Sequence, residues 1–412
     1  MRQIYGLLAT VAGFGLLGAC SSDNGTGVVP VTGAPAQAGM SSASGGTSAA
    51  AGTSAGGTSA GGTGGASGGS MALGGSTSSG GTGGGAPTCS PACSADQACV
   101  EGTCMPKPVQ LTQVSGCGTM YLALNNGTLY FTDSAHGKVS SIPVAGGNVT
   151  DVATGQKAPI AIAVDGTAVY WSNSGTGASD NSLMMKTTAG TPVSITTTTK
   201  NAGALTLDGK GALYYGDGDD LLTVDAKAGS TPTKLGTFTG GPTAIVLTDT
   251  RIFTALTLDN SLQWRSITAG SSGCVDPIAR PVGSTTGGCA FEESQGNLLY
   301  DSLTLESGRV IWANGSLMQS ADTTLPATMQ GSGHTIASTE SFDNISGFTS
   351  NATTVYFGEA TTGIIEKAPL PDGDPVILVE DPTNELAPSS FVMDAQNVYW
   401  RTQSCAIMKL PL

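Results

Sequence analysis

From about residue 107 the chain is written in short apolar runs of four to six residues separated by Gly, Asn, Asp and Thr. Runs of that length, partly alternating and bounded by turn residues, predict β-strands rather than helices. One phrase returns seven times: an apolar run, a tight turn, then a second run carrying an aromatic or aliphatic pair. The copies span Leu122–Asp133, Ile162–Asn173, Leu205–Asp217, Ile245–Ala255, Leu303–Asn314, Phe348–Glu359 and Phe391–Thr402. Most are followed by another hairpin pattern, such as "LMMKTTAGTPVSITT", which makes four strands per unit. Measured between Tyr130, Tyr170, Tyr214, Phe253, Ile311, Tyr356 and Tyr399, the steps are 40, 44, 39, 58, 45 and 43 residues. Four strands every 40–45 residues predict an all-β fold, a β-propeller of seven blades with six or eight as alternatives.

The two ends of this region predict how the ring closes. The seventh unit ends at "CAIMKLPL", Cys405–Leu412, a third strand without a fourth, and a spare strand, "KPVQLTQVS", precedes the first unit. An N-terminal strand completing the last blade removes an exposed sheet edge. Cys117 follows that strand and Cys405 opens its partner, so a Cys117–Cys405 bridge is expected. The 58-residue step marks an insertion in blade 4, where Cys274 and Cys289 are expected to form a local bridge. Loops carry function more often than scaffold does, so this insertion is the first candidate contact surface.

Upstream the pattern changes twice. Residues 89–106 hold "CSPACSADQACVEGTC", with Cys89, Cys93, Cys99 and Cys104. Four cysteines in so short a stretch substitute covalent links for a core. Connectivity is open from sequence alone. The alternating pattern 89–99 and 93–104 is the expectation, with a zinc site as its rival. Residues 20–88 are almost entirely Gly, Ser, Ala and Thr and have no apolar surface to bury, so a disordered linker is expected, or a glycosylated stalk. A flexible coil of that length spans roughly 40–50 Å.

Residues 1–19 read as an export signal: Arg2 is followed by an apolar run from Ile4 to Leu17, too short to span a membrane with these flanks. "LLGAC", Leu16–Cys20, resembles the lipobox of bacterial lipoproteins. That resemblance implies a lipid attached at Cys20, a lipid bilayer as partner, and a cell-envelope address at the outer membrane or cell surface. Of nine cysteines, eight remain once Cys20 is set apart, an even number suited to disulfides in an oxidising compartment. The net charge of −14, with no basic run, disfavours nucleic acid as a partner.

Tyr130-Phe131-Thr132-Asp133 and Tyr170-Trp171-Ser172-Asn173 bring the propeller close to a known class. It resembles the YWTD and NHL-like propellers, most of which are binding modules and a minority lyases, lactonases or oxidoreductases. The other copies drop the final Thr-Asp, so the inter-blade contacts of that family are not carried over. The resemblance implies a module that binds protein, peptide or glycan. An extracytoplasmic lyase or hydrolase with an axial metal, and a purely structural envelope protein, are the alternatives.

Candidate chemistry is sparse. The two histidines, His136 in "TDSAHGK" and His334 in "GSGHTIAS", are expected in loops on one face, where they could serve as a base or metal ligands. Asp217, Asp219 and Asp220 in "GDGDDLL" could hold calcium or another divalent metal, but the spacing departs from an EF-hand. Glu292-Glu293 and Asp372/Asp374 read as solvated turns. No cofactor and no catalytic set is expected, and the repeated aromatic pairs are expected to pack between sheets.

Overall fold

The computed structural model describes residues 89–175, 177, 180–198, 200, 202–238, 241–256, 261–267, 272–274, 303–324, 334–339, 344–380 and 388–412. Cys20, the Gly/Ser-rich segment, Cys289 and most of the blade-4 insertion lie outside them.

The first elements are a two-stranded hairpin, β1 (Gln97–Val100) and β2 (Thr103–Pro106), with Cys99 opposite Cys104. Disulfides join Cys89 to Cys99 and Cys93 to Cys104, with Cα separations of 5.7 and 5.4 Å. All four thiols are consumed, so the sulfur cluster at Cys89, Cys93 and Cys99 is a bridged knot and offers no thiolates to zinc.

Seven four-stranded antiparallel sheets follow. Blade 1 is β4 (Leu122–Asn125), β5 (Thr128–Asp133), β6 (Lys138–Pro143) and β7 (Thr150–Ala153). Blade 2 is β8 (Pro159–Val164), β9 (Ala168–Asn173), β10 (Ser182–Thr187) and β11 (Val193–Thr197). Blade 3 is β12 (Leu205–Leu207), β13 (Ala212–Asp217), β14 (Asp220–Asp225) and β15 (Thr233–Thr237). Blade 4 is β16 (Pro242–Leu247), β17 (Arg251–Leu256), β18 (Ser261–Ser266) and β19 (Ser272–Cys274). Blade 5 is β20 (Leu303–Glu306), β21 (Arg309–Asn314), β22 (Leu317–Asp322) and β23 (His334–Ser338). Blade 6 is β24 (Ile345–Ser350), β25 (Thr354–Glu359), β26 (Ile365–Pro369) and β27 (Val376–Val379). Blade 7 takes β28 (Ser389–Met393), β29 (Asn397–Arg401) and β30 (Ala406–Pro411) from the end of the chain. Its fourth strand is β3 (Val109–Gln113), which pairs antiparallel with β30, Val109 opposite Lys409 and Gln113 opposite Ala406. The ring is thus closed by the N-terminal strand, and each repeated phrase is the first hairpin of one blade.

The core is divided into seven apolar clusters, one in each seam between neighbouring blades, including the closing seam between blades 7 and 1. The paired positions in the second strands explain this division. Successive strand residues point to opposite faces, so the first of each pair meets the following blade and the second meets the preceding one. Tyr170 packs against blade 3 and Trp171 against blade 1. Tyr399 packs against blade 1 and Trp400 against blade 6. A two-residue motif therefore serves two seams, and Trp171, Trp312, Trp400, Tyr215, Tyr399, Phe131, Phe253 and Phe357 are fully buried.

The Cys117–Cys405 disulfide, with Cα atoms 6.2 Å apart, fastens the connection after β3 to the turn before β30. The small hairpin lies against β27, and Met105 packs on the blade 6–7 cluster. An outer sheet edge is thereby covered.

Candidate functional site

Strand alternation sorts the connections onto two faces. First-to-second and third-to-fourth turns emerge on one, which we call the lower face. Second-to-third turns and blade-to-blade crossings emerge on the other, the upper face.

The sequence candidates separate under this geometry. His136 sits in the upper turn between β5 and β6. Its Nδ1 lies 2.6 Å from Oδ2 of the buried Asp133, whose Oδ1 accepts the His136 backbone N–H at 3.2 Å. His334 is not in the crossing from blade 5 to blade 6, as the sequence suggested. It is the first residue of β23, the outer strand, reached from the lower face, and its Nε2 bonds Asp372 of blade 6. The two histidines are therefore on opposite faces, because "HTIAS" is itself the fourth strand and not a connection. The aspartates of "GDGDDLL" also diverge. Asp217 ends β13 and accepts the Lys200 N–H at 2.6 Å. Asp220 begins β14 and takes Lys234 Nζ at 2.7 Å and the Thr237 hydroxyl at 2.8 Å. Among the described residues, Asp217, Asp219 and Asp220 do not gather ligand atoms within 4.8 Å of one another.

A residue the sequence did not single out organises the lower face. The acidic or amide residue at the end of the first strand caps its own turn. Asp165 Oδ1 accepts the N–H groups of Thr167 and Ala168 at 2.7 and 2.9 Å, and Asp394 does the same for Gln396 and Asn397 at 2.8 Å each. Asp208 and Asn351 repeat the device. These are Asx-type turns. In blades 2 and 7 the second oxygen also accepts a tyrosine hydroxyl, Tyr170 to Asp165 at 3.2 Å and Tyr399 to Asp394 at 2.7 Å. Burial pushes both carboxyls up, but these hydrogen bonds outweigh it and hold them below the usual carboxylate range.

Blade 1 breaks the pattern. Its turn is the two-residue Asn126-Gly127, both at positive φ (47° and 73°) as a tight hairpin requires. The capping position is Asn125, whose Nδ2 donates instead to the Asp165 carbonyl in blade 2 at 2.7 Å. Tyr130 is left without the carboxylate partner that Tyr170 and Tyr399 have. It is the one first-position side chain of the seven that is not buried. It lines a cleft of about 320 Å³ between blades 1 and 2 on the lower face. Asn125, Thr128, Ser141, Thr150, Asp151, Asp165, Thr167 and Lys186 supply its polar wall, and Val152 and Val164 its apolar patches. Asp151 is held by Lys138 Nζ at 2.9 Å, while the Tyr130 hydroxyl and Lys186 Nζ have no partner among the described residues. An aromatic edge, a free hydroxyl, a free ammonium and several amide and hydroxyl groups suit a polar ligand. The visible signal was the Asn-Asn-Gly in place of Asp-x-x, but its consequence depends on a neighbouring blade.

No family model and no curated protein sequence matches this chain. Several solved structures align over about three quarters of the chain. A catalytically inactive histidine-to-alanine variant of virginiamycin B lyase from Staphylococcus aureus, with quinupristin, is 12% identical. It aligns over 74% of this chain and 99% of its own, with a TM-score of 0.58. A streptogramin B lyase is 14% identical over 74% and 97%, with a TM-score of 0.57. The selenomethionine-substituted S. aureus enzyme is 13% identical over 74% and 98%, with a TM-score of 0.54. At that level of identity the likeness shows one thing, a shared β-propeller fold.

Proposed function

We propose that this protein is a lipid-anchored binding module of the cell envelope, held at Cys20 and presenting a propeller on a long polar linker. The export signal, the lipobox-like "LLGAC" and the wholly bridged cysteines of the knot support the address. The observation that carries the binding role is the blade 1–2 cleft, where Tyr130 packs on the seam but stays half-buried and unpaired polar groups face solvent. Its hydroxyl, amide and ammonium groups fit a glycan or a polar peptide segment better than an apolar molecule.

The test is binding of the full chain to an array of envelope and host glycans and to a peptide library, native beside Tyr130→Ala and Lys186→Ala. Loss of at least tenfold in affinity with an unchanged unfolding midpoint is expected. Undiminished binding by both variants would remove the cleft from the reading. Cys20→Ser should release the protein from the membrane fraction into the soluble one, and retention there would refute the anchor.

The second reading is an extracytoplasmic enzyme, favoured by the neighbours that are lyases. In this chain its acid–base group would be His136, oriented by Asp133 on the upper face. Stoichiometric metal in the purified full chain, lost with His136→Ala, would move the assignment to this reading.

A further inference from the structure

The residue that follows the repeated pair in each second strand faces the following blade at the upper rim, and there the seams are tight. In six blades it is small: Thr132, Ser172, Gly216, Ala255, Ala313 and Gly358. A Cβ on Gly216 would lie 2.9 Å from the Pro242 carbonyl, and one on Gly358 would run into Pro388 and Phe391. Ser172 fits only by donating its hydroxyl to the Ala202 carbonyl at 2.6 Å. The seventh blade places Arg401 at this position, in the seam that closes the ring.

Among the described residues Arg401 has no counter-charge. The crossing it faces, residues 114–121, reads "VSGCGTMY" and is described throughout; it holds no Asp or Glu. The Arg401 side chain makes no hydrogen bond to any described residue, and its Nε is fully enclosed and unpaired, although part of the residue stays exposed. Burial draws its pKa below the usual arginine value, and the Tyr121 hydroxyl acts the other way. A guanidinium that is desolvated and unpaired is costly, and the cost is removed when an anion is seated on its fork. The position is also rigid. Arg401 pairs with Ile407 across β29–β30, and the Cys117–Cys405 disulfide fixes the intervening turn to the crossing that the side chain faces.

We propose that Arg401 is the recognition residue of a carboxylate-binding site at the upper end of the seam between blades 7 and 1. A carboxylate matches the planar fork in a bidentate pair. A dianion such as phosphate would need more positive charge than one guanidinium supplies in a molecule of net charge −14. A free organic acid and an acidic sugar are two sources of the same recognised group. This site is on the face opposite the blade 1–2 cleft and stands independently of it.

Calorimetric titration of the full chain in detergent, at constant ionic strength, tests the proposal with sodium acetate, sodium glucuronate and sodium phosphate. Saturable uptake of glucuronate is expected, weakened at least tenfold in Arg401→Gln and intermediate in Arg401→Lys. Acetate matching glucuronate assigns recognition to the carboxylate alone, and weaker acetate shows that the sugar ring adds to it; either supports the site. Without carboxylate, Arg401→Gln should unfold at a higher temperature than the native chain, because it removes an uncompensated charge, and this also reports that the variant folds. The proposal is overturned if the native chain takes up neither carboxylate, if Arg401→Gln binds as well as native, or if phosphate binds as tightly.

Discussion

Asp394 shows how much one side chain does in a repeated turn. One oxygen satisfies two backbone N–H groups and the other takes the hydroxyl of Tyr399, which is fully buried. Asp394→Asn keeps a turn acceptor but sets an amide against that hydroxyl. The expected loss is about 1 kcal/mol at pH 7, at the low end for a charge-assisted bond because the carboxylate is partly exposed. The Asp394 carboxyl lies below its ordinary value in the folded state, so its contribution is present above the unfolded carboxyl pKa of about 4 and is lost as pH falls through the folded one. Urea unfolding of native and variant should therefore diverge at pH 7 and converge in acid. A gap that persists unchanged to strongly acidic pH would show that the carboxylate contributes nothing through its charge. The Asp-Gly of "VDGTAV" was legible as a turn. The tyrosine bond was not, since it joins residues five apart across a hairpin whose twist the sequence does not state.

Among the elements, the second strand of each blade is the most constrained, because it contributes to two seams at once. The position after its repeated pair tolerates almost no volume. Gly358→Ala pushes a methyl into Pro388 and Phe391 and should cost about 1–3 kcal/mol by overpacking. Gly166→Ala, with open space around its added carbon, should leave the unfolding midpoint within error. Equal midpoints for the two variants would mean that the upper seams yield easily and that Arg401 needs no special accommodation. Third-to-fourth strand pairs also carry register shifts in blades 1, 2, 3, 5, 6 and 7, where an extra residue bends the outer strand. These bulges obscure the outer strands in sequence, since they interrupt alternation. The same weakness in the pattern let "HTIAS" pass for a connection and put His334 on the wrong face.

For the whole molecule, ring closure is the decisive event. β3 must find β30 across nearly the full propeller, and the disulfide between Cys117 and Cys405 closes a loop of 288 residues. On the loop-entropy account such a bridge contributes roughly 5 kcal/mol. Replacing both cysteines by serine should lower stability by an amount of that order, read from denaturant midpoints. A loss below about 1 kcal/mol would mean that pairing of β3 and the blade 7–1 cluster close the ring unaided. The same closure positions Arg401, so the double variant should also weaken carboxylate binding.

By itself the sequence favoured seven blades over six or eight and marked the first hairpin of each, the closing strand and the expected pairing of Cys117 with Cys405. Those follow from local chemistry repeated at a fixed period, and repetition is a property of a string. Only the tertiary structure decided which face each loop joins, that Tyr130 stays half-buried at its seam while six counterparts are buried, and that Arg401 is enclosed without a partner among the described residues. Each of these depends on what the adjacent blade places opposite a residue, a neighbour some forty positions away or, at the closing seam, nearly three hundred.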